Sequence, residues 1–157
     1  MVDLDKVIIH AARLGEIDVL TELIARNANV NAKDEKGFTP LIIACYNNQY
    51  EAASFLIKAG ANINEQDNGG NTALMGVAFK GYINIAKLLI EQNADLNKQH
   101  GNGGTALMFA VMFGRNEMAK LLIAEGADKT LLDYRGLSVY DLAAQHNNEE
   151  ALNMLKA

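Results

Sequence analysis

Thr72-Ala73-Leu74-Met75 and Ala86-Lys87-Leu88-Leu89-Ile90 return 33 residues later as Thr105-Ala106-Leu107-Met108 and Ala119-Lys120-Leu121-Leu122-Ile123. Between the 33-residue segments that begin at Asp67 and at His100, 13 positions are identical. A fixed period of this length marks a repeat array, in which each unit is one supersecondary element that cannot bury its apolar face alone. Working outward, Thr39 and Ser138 fall in register with Thr72 and Thr105, and Gly37, Gly70, Gly103 and Gly136 precede them at a constant offset. The units run 1–33, 34–66, 67–99, 100–132 and a shortened 133–157, which together use the whole chain of 157 residues. With a single proline and no low-complexity stretch there is no linker, so one domain spanning 1–157 is expected.

Each unit reads as helix, turn, helix and extended loop. Thr39-Pro40 is a helix start, because the hydroxyl accepts from orphan first-turn amides while proline, lacking an amide, fits the first helical position. The short apolar helix that follows, Leu41 to Tyr46 in the second unit, stops at Gly15, Asn48, Gly81, Gly114 and Asn147 in successive units. Glycine and asparagine are the residues that tolerate the left-handed conformation of a helix end. The second helix, as in 83–92, carries apolar residues at spacings of three and four, so one face packs while the other meets solvent. It ends at Asn27, Gly60, Asn93 and Gly126. The connection that follows, as in Asn64-Glu65-Gln66-Asp67-Asn68-Gly69-Gly70, suits a projecting hairpin-like turn.

The 33-residue period, Gly37-Phe38-Thr39-Pro40-Leu41 and Ala59-Gly60-Ala61-Asn62-Ile63-Asn64 resemble the ankyrin repeat, and the resemblance covers the entire chain. It implies an all-α solenoid of about five helix-turn-helix units and a protein–protein interaction module that is not an enzyme. The chain departs from the family where histidine usually follows Thr-Pro-Leu: Ile42, Met75, Met108 and Asp141 stand there, which predicts an oilier seam between repeats. The first unit has Lys6 in place of the threonine, and the last ends soon after Leu155-Lys156; both are expected to act as caps with polar outer faces.

The resemblance also implies a concave binding face, built from the turn tips and the exposed side of each first helix. The tips contribute Glu35, Lys36, Asn68, Asn102, Tyr134 and Arg135. The helices contribute the two residues before each Gly or Asn stop: Arg13, Tyr46, Phe79, Met112 and Gln145, then Leu14, Asn47, Lys80, Phe113 and His146. Aromatic and methionine side chains on a surface mark the centre of an interface. Tyr46, Phe79, Met112 and Phe113 are therefore the expected anchors, with Lys36, Asn68, Asn102, Tyr134 and Arg135 around them. Against this stands the plainer alternative that an aromatic on a short helix is core. The register favours the surface, because Leu41, Leu74 and Leu107 already fill the buried positions.

Other chemistry finds little support. Cys45 stands where Ala12, Ala78 and Ala144 occur, as a small buried hydrophobe would. His10, His100 and His146 lie in different repeats at different positions and give no zinc spacing, so no metal and no cofactor is expected. Gly101-Asn102-Gly103-Gly104 lacks the strand before it and the Gly-Lys-Ser or Gly-Lys-Thr after it that a phosphate loop needs. Asp34, Asp67 and Asp133 recur once per repeat, too far apart for an acid–base pair or a calcium site, and suit turn formation. The Glu149-Glu150 pair suits a helix N-terminus. No catalytic residue emerges.

A net charge of −5 without a run of Lys or Arg disfavours nucleic acid and favours a protein partner whose surface is neutral or basic. The N-terminal Met1-Val2-Asp3-Leu4-Asp5-Lys6 is unlike a secretory signal, no stretch approaches a membrane span, and the lone cysteine allows no intramolecular disulfide. A cytoplasmic monomer is expected; a secreted or periplasmic mature form fits the same residues. The partner-binding class takes in adaptors, inhibitors, immunity proteins and effectors. The alternative is an unrecognised enzyme or nucleic-acid binder, for which convergent titratable groups or a basic stripe would be the sign.

Overall fold

The computed structural model describes residues 2–157. Ten helices stand among them: α1 (Leu4–Leu14), α2 (Ile17–Ala25), α3 (Pro40–Tyr46), α4 (Tyr50–Lys58), α5 (Ala73–Lys80), α6 (Ile83–Glu91), α7 (Ala106–Met112), α8 (Asn116–Ala124), α9 (Val139–Gln145) and α10 (Glu149–Lys156). They fall into two compact units, one ending at Ala73 and one beginning at Leu74. In the first unit α1 packs on α2 and α3, α3 packs on α4, and α2 touches α4. In the second, α7 packs on α8 and α9, α9 and α8 both meet α10, and α6 touches α8. None of these helices is long and apolar enough to cross a membrane.

The helix starts follow the hydroxyl residues in register. Thr39 and Thr105, both buried, accept from the amides of Ile42 and Met108 at 3.2 and 3.3 Å, which satisfies one orphan donor in each first turn. Ser138 does the same for Asp141, whose carboxylate answers the Ser138 amide at 2.9 Å and closes a capping box. Asp141 therefore does not continue the apolar seam expected at its register position. It is exposed and occupied at the helix end, whereas Ile42, Met75 and Met108 are buried as the seam requires. The start of α1 also differs from the pattern. With Lys6 at the threonine position, the cap comes from Asp3, which accepts from the Asp5 and Lys6 amides, so α1 begins early and reaches 11 residues.

The stops lie where glycine and asparagine recur. Gly15, Asn48, Gly81, Gly114 and Asn147 all have φ between 54° and 79°, the left-handed region that ends a helix. Between starts and stops the core is a ladder of in-register side chains. Leu41, Leu74 and Leu107 are buried from the first helices, and Leu56, Leu89 and Leu122 are fully buried from the second. Cys45 is completely buried, and desolvation pushes its thiol well above the ordinary range, as for a small core hydrophobe.

The loops between repeats are stitched by side-chain amides and carboxylates. Asn31 Oδ1 accepts from the Asn62 amide and Asn97 Oδ1 from the Asp128 amide, each at 2.8 Å, which ties one connection to the next within each unit. Three of the turns are held by an aspartate that accepts from the amides two and four residues on: Asp34 from Lys36 and Phe38, Asp67 from Gly69 and Asn71, Asp133 from Arg135 and Leu137, all at 2.8–3.0 Å. The recurring aspartates are thus turn formers.

Candidate functional site

The turn tips are positioned by backbone bonds from tip to tip. In the first unit the Asn68 amide donates to the Lys36 carbonyl at 3.0 Å, and in the second the Tyr134 amide donates to the Asn102 carbonyl at 3.0 Å. The tips must also approach closely. A Cβ on Gly37 would stand 2.8 Å from the Asn68 backbone nitrogen, and one on Gly103 would stand 2.6 Å from that of Tyr134. Both glycines take positive φ as well, so the position excludes any side chain twice over.

In the first unit Tyr46 ends α3 with its side chain 43% exposed, and Lys36 is exposed at its tip. Asn68 is exposed too, yet its amide group donates to the Glu35 carbonyl at 2.9 Å, which commits that side chain to bracing the turns.

The second unit brings more of the sequence-derived set together. Met112, Phe113, Asn102, Tyr134 and Arg135 surround one open hollow of about 540 Å³. Met108 and Leu142, both buried, form its floor, and Phe109 stands beside them. Phe113 is 47% exposed on one side and Tyr134 75% exposed on the other. Phe79 is half-buried instead of exposed. Its ring meets Phe113 edge-on, centroids 4.6 Å apart and planes at 69°, so the two aromatics support each other along the surface.

Gly104 also lines the hollow. Gly104 stands in register with Phe38, Asn71 and Leu137, so this repeat alone offers no side chain at that place. His100 occupies part of the space instead. It stands in register with Asp34, Asp67 and Asp133 and does part of their work, its Nδ1 accepting from the Asn102 amide at 3.2 Å. The imidazole lies over Phe109 with centroids 4.9 Å apart.

One arginine lines the hollow and a second stands beside Phe79. Arg135 donates through Nε and Nη2 to Asp133 Oδ2 at 3.2 and 2.9 Å. Desolvation raises the Asp133 carboxyl, but the Leu137 amide, Arg135 and its guanidinium charge outweigh that and hold it below the usual carboxylate range. Beyond Phe79, Arg115 donates from Nε to the Phe79 carbonyl at 3.0 Å. Its structural counterparts are Gln49, which donates to the Arg13 carbonyl at 3.1 Å, and Asn148, which donates to the Val111 carbonyl at 3.0 Å. Each closes the carbonyl end of a first helix in the preceding repeat, a role that needs one donor and no charge.

Sequence periodicity singled out neither Gly104, His100 nor Arg115. Their signal was a departure from register: a glycine where neighbours have side chains, a histidine among aspartates, and an arginine where the other units have Glu16, Gln49, Tyr82 and Asn148.

With this geometry in place, a model of the family described as ankyrin repeats, in three copies, matches residues 8–100 and again 74–157. No curated protein matches the chain.

Proposed function

Because the chain belongs to the ankyrin-repeat family, whose repeats are generally protein–protein interaction modules, we propose that it binds a protein partner through the face that carries the turn tips and first helices, centred in the second unit on the hollow between Phe113 and Tyr134. The observation that supports this most is the exposure of those two rings in the lining of one hollow that the buried Met108 and Leu142 also line. A stable core would bury them, and aromatic side chains held rigidly in a desolvated recess are the usual energetic centre of an interface. Met112 and Phe79 extend the anchor set, and Asn102 and Arg135 form its polar edge. Tyr46 and Lys36 are the corresponding contact residues of the first unit, with Asn68 acting by holding the tips.

The family is typically non-enzymatic, and the hollow suits capture over catalysis. Asp133 is committed to the turn amides and Arg135, and His100 Nδ1 to the Asn102 amide. In this account the chain is an adaptor, inhibitor, immunity protein or effector, a cytoplasmic monomer that acts on a protein and not on nucleic acid or membrane. The test is a comparison of proteins retained from the source cells by the wild type and by Phe113→Ala and Tyr134→Ala. A partner held by the wild type and released by both variants supports the hollow; one retained equally by all three overturns it.

A further inference from the structure

We propose that the partner segment that enters the second unit is acidic: a large apolar side chain flanked by carboxylates, received by the hollow and by the two arginines at either end of its aromatic strip. The proposal rests on the hollow being a protein-docking site and adds the chemistry of its occupant.

Charge is distributed unevenly here. Over 74–157 there are eight Lys and Arg against nine Asp and Glu, a balance of −1, and over the whole chain the balance is −5. That total favours a neutral or basic partner, yet the strip has the opposite sign. It runs from Arg135 across the hollow to Phe113, through the ring contact to Phe79, and on to Arg115 at the Phe79 carbonyl. The carboxylate lining the hollow is Asp133, which is buried and already accepts from two backbone amides and the Arg135 guanidinium. A basic segment would find no available counter-charge there and would meet two guanidinium groups. An acidic one would meet donors shaped for carboxylates.

Neither arginine is required by the fold. Gln49 and Asn148 make the cap that Arg115 makes, without a charge. Lys36, Gly69 and Asn102 occupy the register position of Arg135 in turns built on the same bonds. Both arginines are exposed, and Arg115 reaches the Phe79 carbonyl through Nε. The charge of Arg115 is therefore surplus to structure, whereas that of Arg135 also answers the buried Asp133 carboxylate. Surplus charge beside an exposed aromatic cluster sets partner choice and orientation.

The same comparison supplies the variants. Arg115→Gln copies Gln49, whose side chain makes the same cap, and Arg135→Asn copies the residue at Asn102; the second change removes the ion pair to Asp133 but leaves that carboxylate its bonds from the amides of residue 135 and Leu137, and circular dichroism checks that the double variant folds. A phage-displayed library of random dodecapeptides is panned on the wild-type chain, and the enriched peptides are measured against the wild type, the double variant and Phe113→Ala. The expected result is enrichment of Asp and Glu around a Phe, Leu, Ile or Met, with binding weakened roughly tenfold by the double variant, as two exposed charge pairs acting together would give. Neutral or basic peptides, or acidic ones that bind the double variant equally well, overturn the acidic occupant while the docking site stands. Peptides that bind Phe113→Ala as tightly as the wild type overturn the docking site and the proposal with it. A single-stranded oligothymidylate that binds more tightly than every enriched peptide reassigns the strip to nucleic acid.

Discussion

Replacing Gly104 with alanine separates the hollow's role in binding from any role in stability. The backbone at Gly104 is outside the left-handed region, so alanine is tolerated conformationally. The new methyl would stand 2.8 Å from His100 Nε2 and 3.0 Å from its Cδ2, so the ring must swing aside. That movement breaks the 3.2 Å bond from the Asn102 amide to Nδ1, a neutral hydrogen bond with a net contribution of about 0.5–1.5 kcal/mol. The reduced freedom of the unfolded chain offsets it by about 0.4–1 kcal/mol. The net loss is therefore about 1 kcal/mol or less, while the displaced imidazole and the methyl together narrow the site. Urea unfolding followed by circular dichroism gives the first quantity, and titration with the partner gives the second. The expected pair is a small stability change and an affinity loss of about tenfold or more, or about 1.4 kcal/mol. A stability loss of 3 kcal/mol would make His100 a structural post of the repeat, and unchanged affinity would remove the hollow from the interface.

Leu89→Ala empties a fully buried site in α6 and should cost about 2–5 kcal/mol in urea titrations, far more than the same change at the exposed Tyr46; equal losses would place Tyr46 in the core. Asp133 has a folded-state pKa below its unfolded value, so its stabilisation is complete above about pH 4 and fades as pH falls through the lower folded value. The stability gap between wild type and Asp133→Asn should accordingly be constant near neutrality and close in acid, as read from urea midpoints at stepped pH; a gap that widens in acid contradicts the assignment. In-frame removal of residues 67–99 should leave a shorter helical protein, because repeats of this kind are stabilised chiefly by their neighbours. A deleted chain with no helical circular dichroism would refute the repeat boundaries.

The repeat itself was legible because its punctuation is chemical. A hydroxyl at Thr39, Thr105 or Ser138 has a cap to make, and a glycine or asparagine at each stop has a left-handed backbone to adopt. The exposure of Tyr46 and Phe113 followed from the same register. What periodicity could not supply is contact between side chains far apart in sequence. Phe79 is half-buried because Phe113 stands against it, and nothing local to either residue says so. Asn68 looked like a rim group, but a carbonyl 33 residues away holds it. The cap of α1 moved to Asp3 because any acceptor ahead of a helical run can serve, and Lys6 cannot. The hollow is lined by residues as far apart in sequence as His100 and Leu142, and becomes visible only when they are in place.

The central claim is that a protein docks between Phe113 and Tyr134, and the rate at which the partner leaves tests it most directly. Phe113→Ala should speed dissociation by about 30-fold, equivalent to a loss of about 2 kcal/mol at an interface centre, while the exposed Glu91→Ala on α6 leaves the rate unchanged. If Glu91→Ala speeds release and Phe113→Ala does not, the partner binds the second helices and the account is wrong.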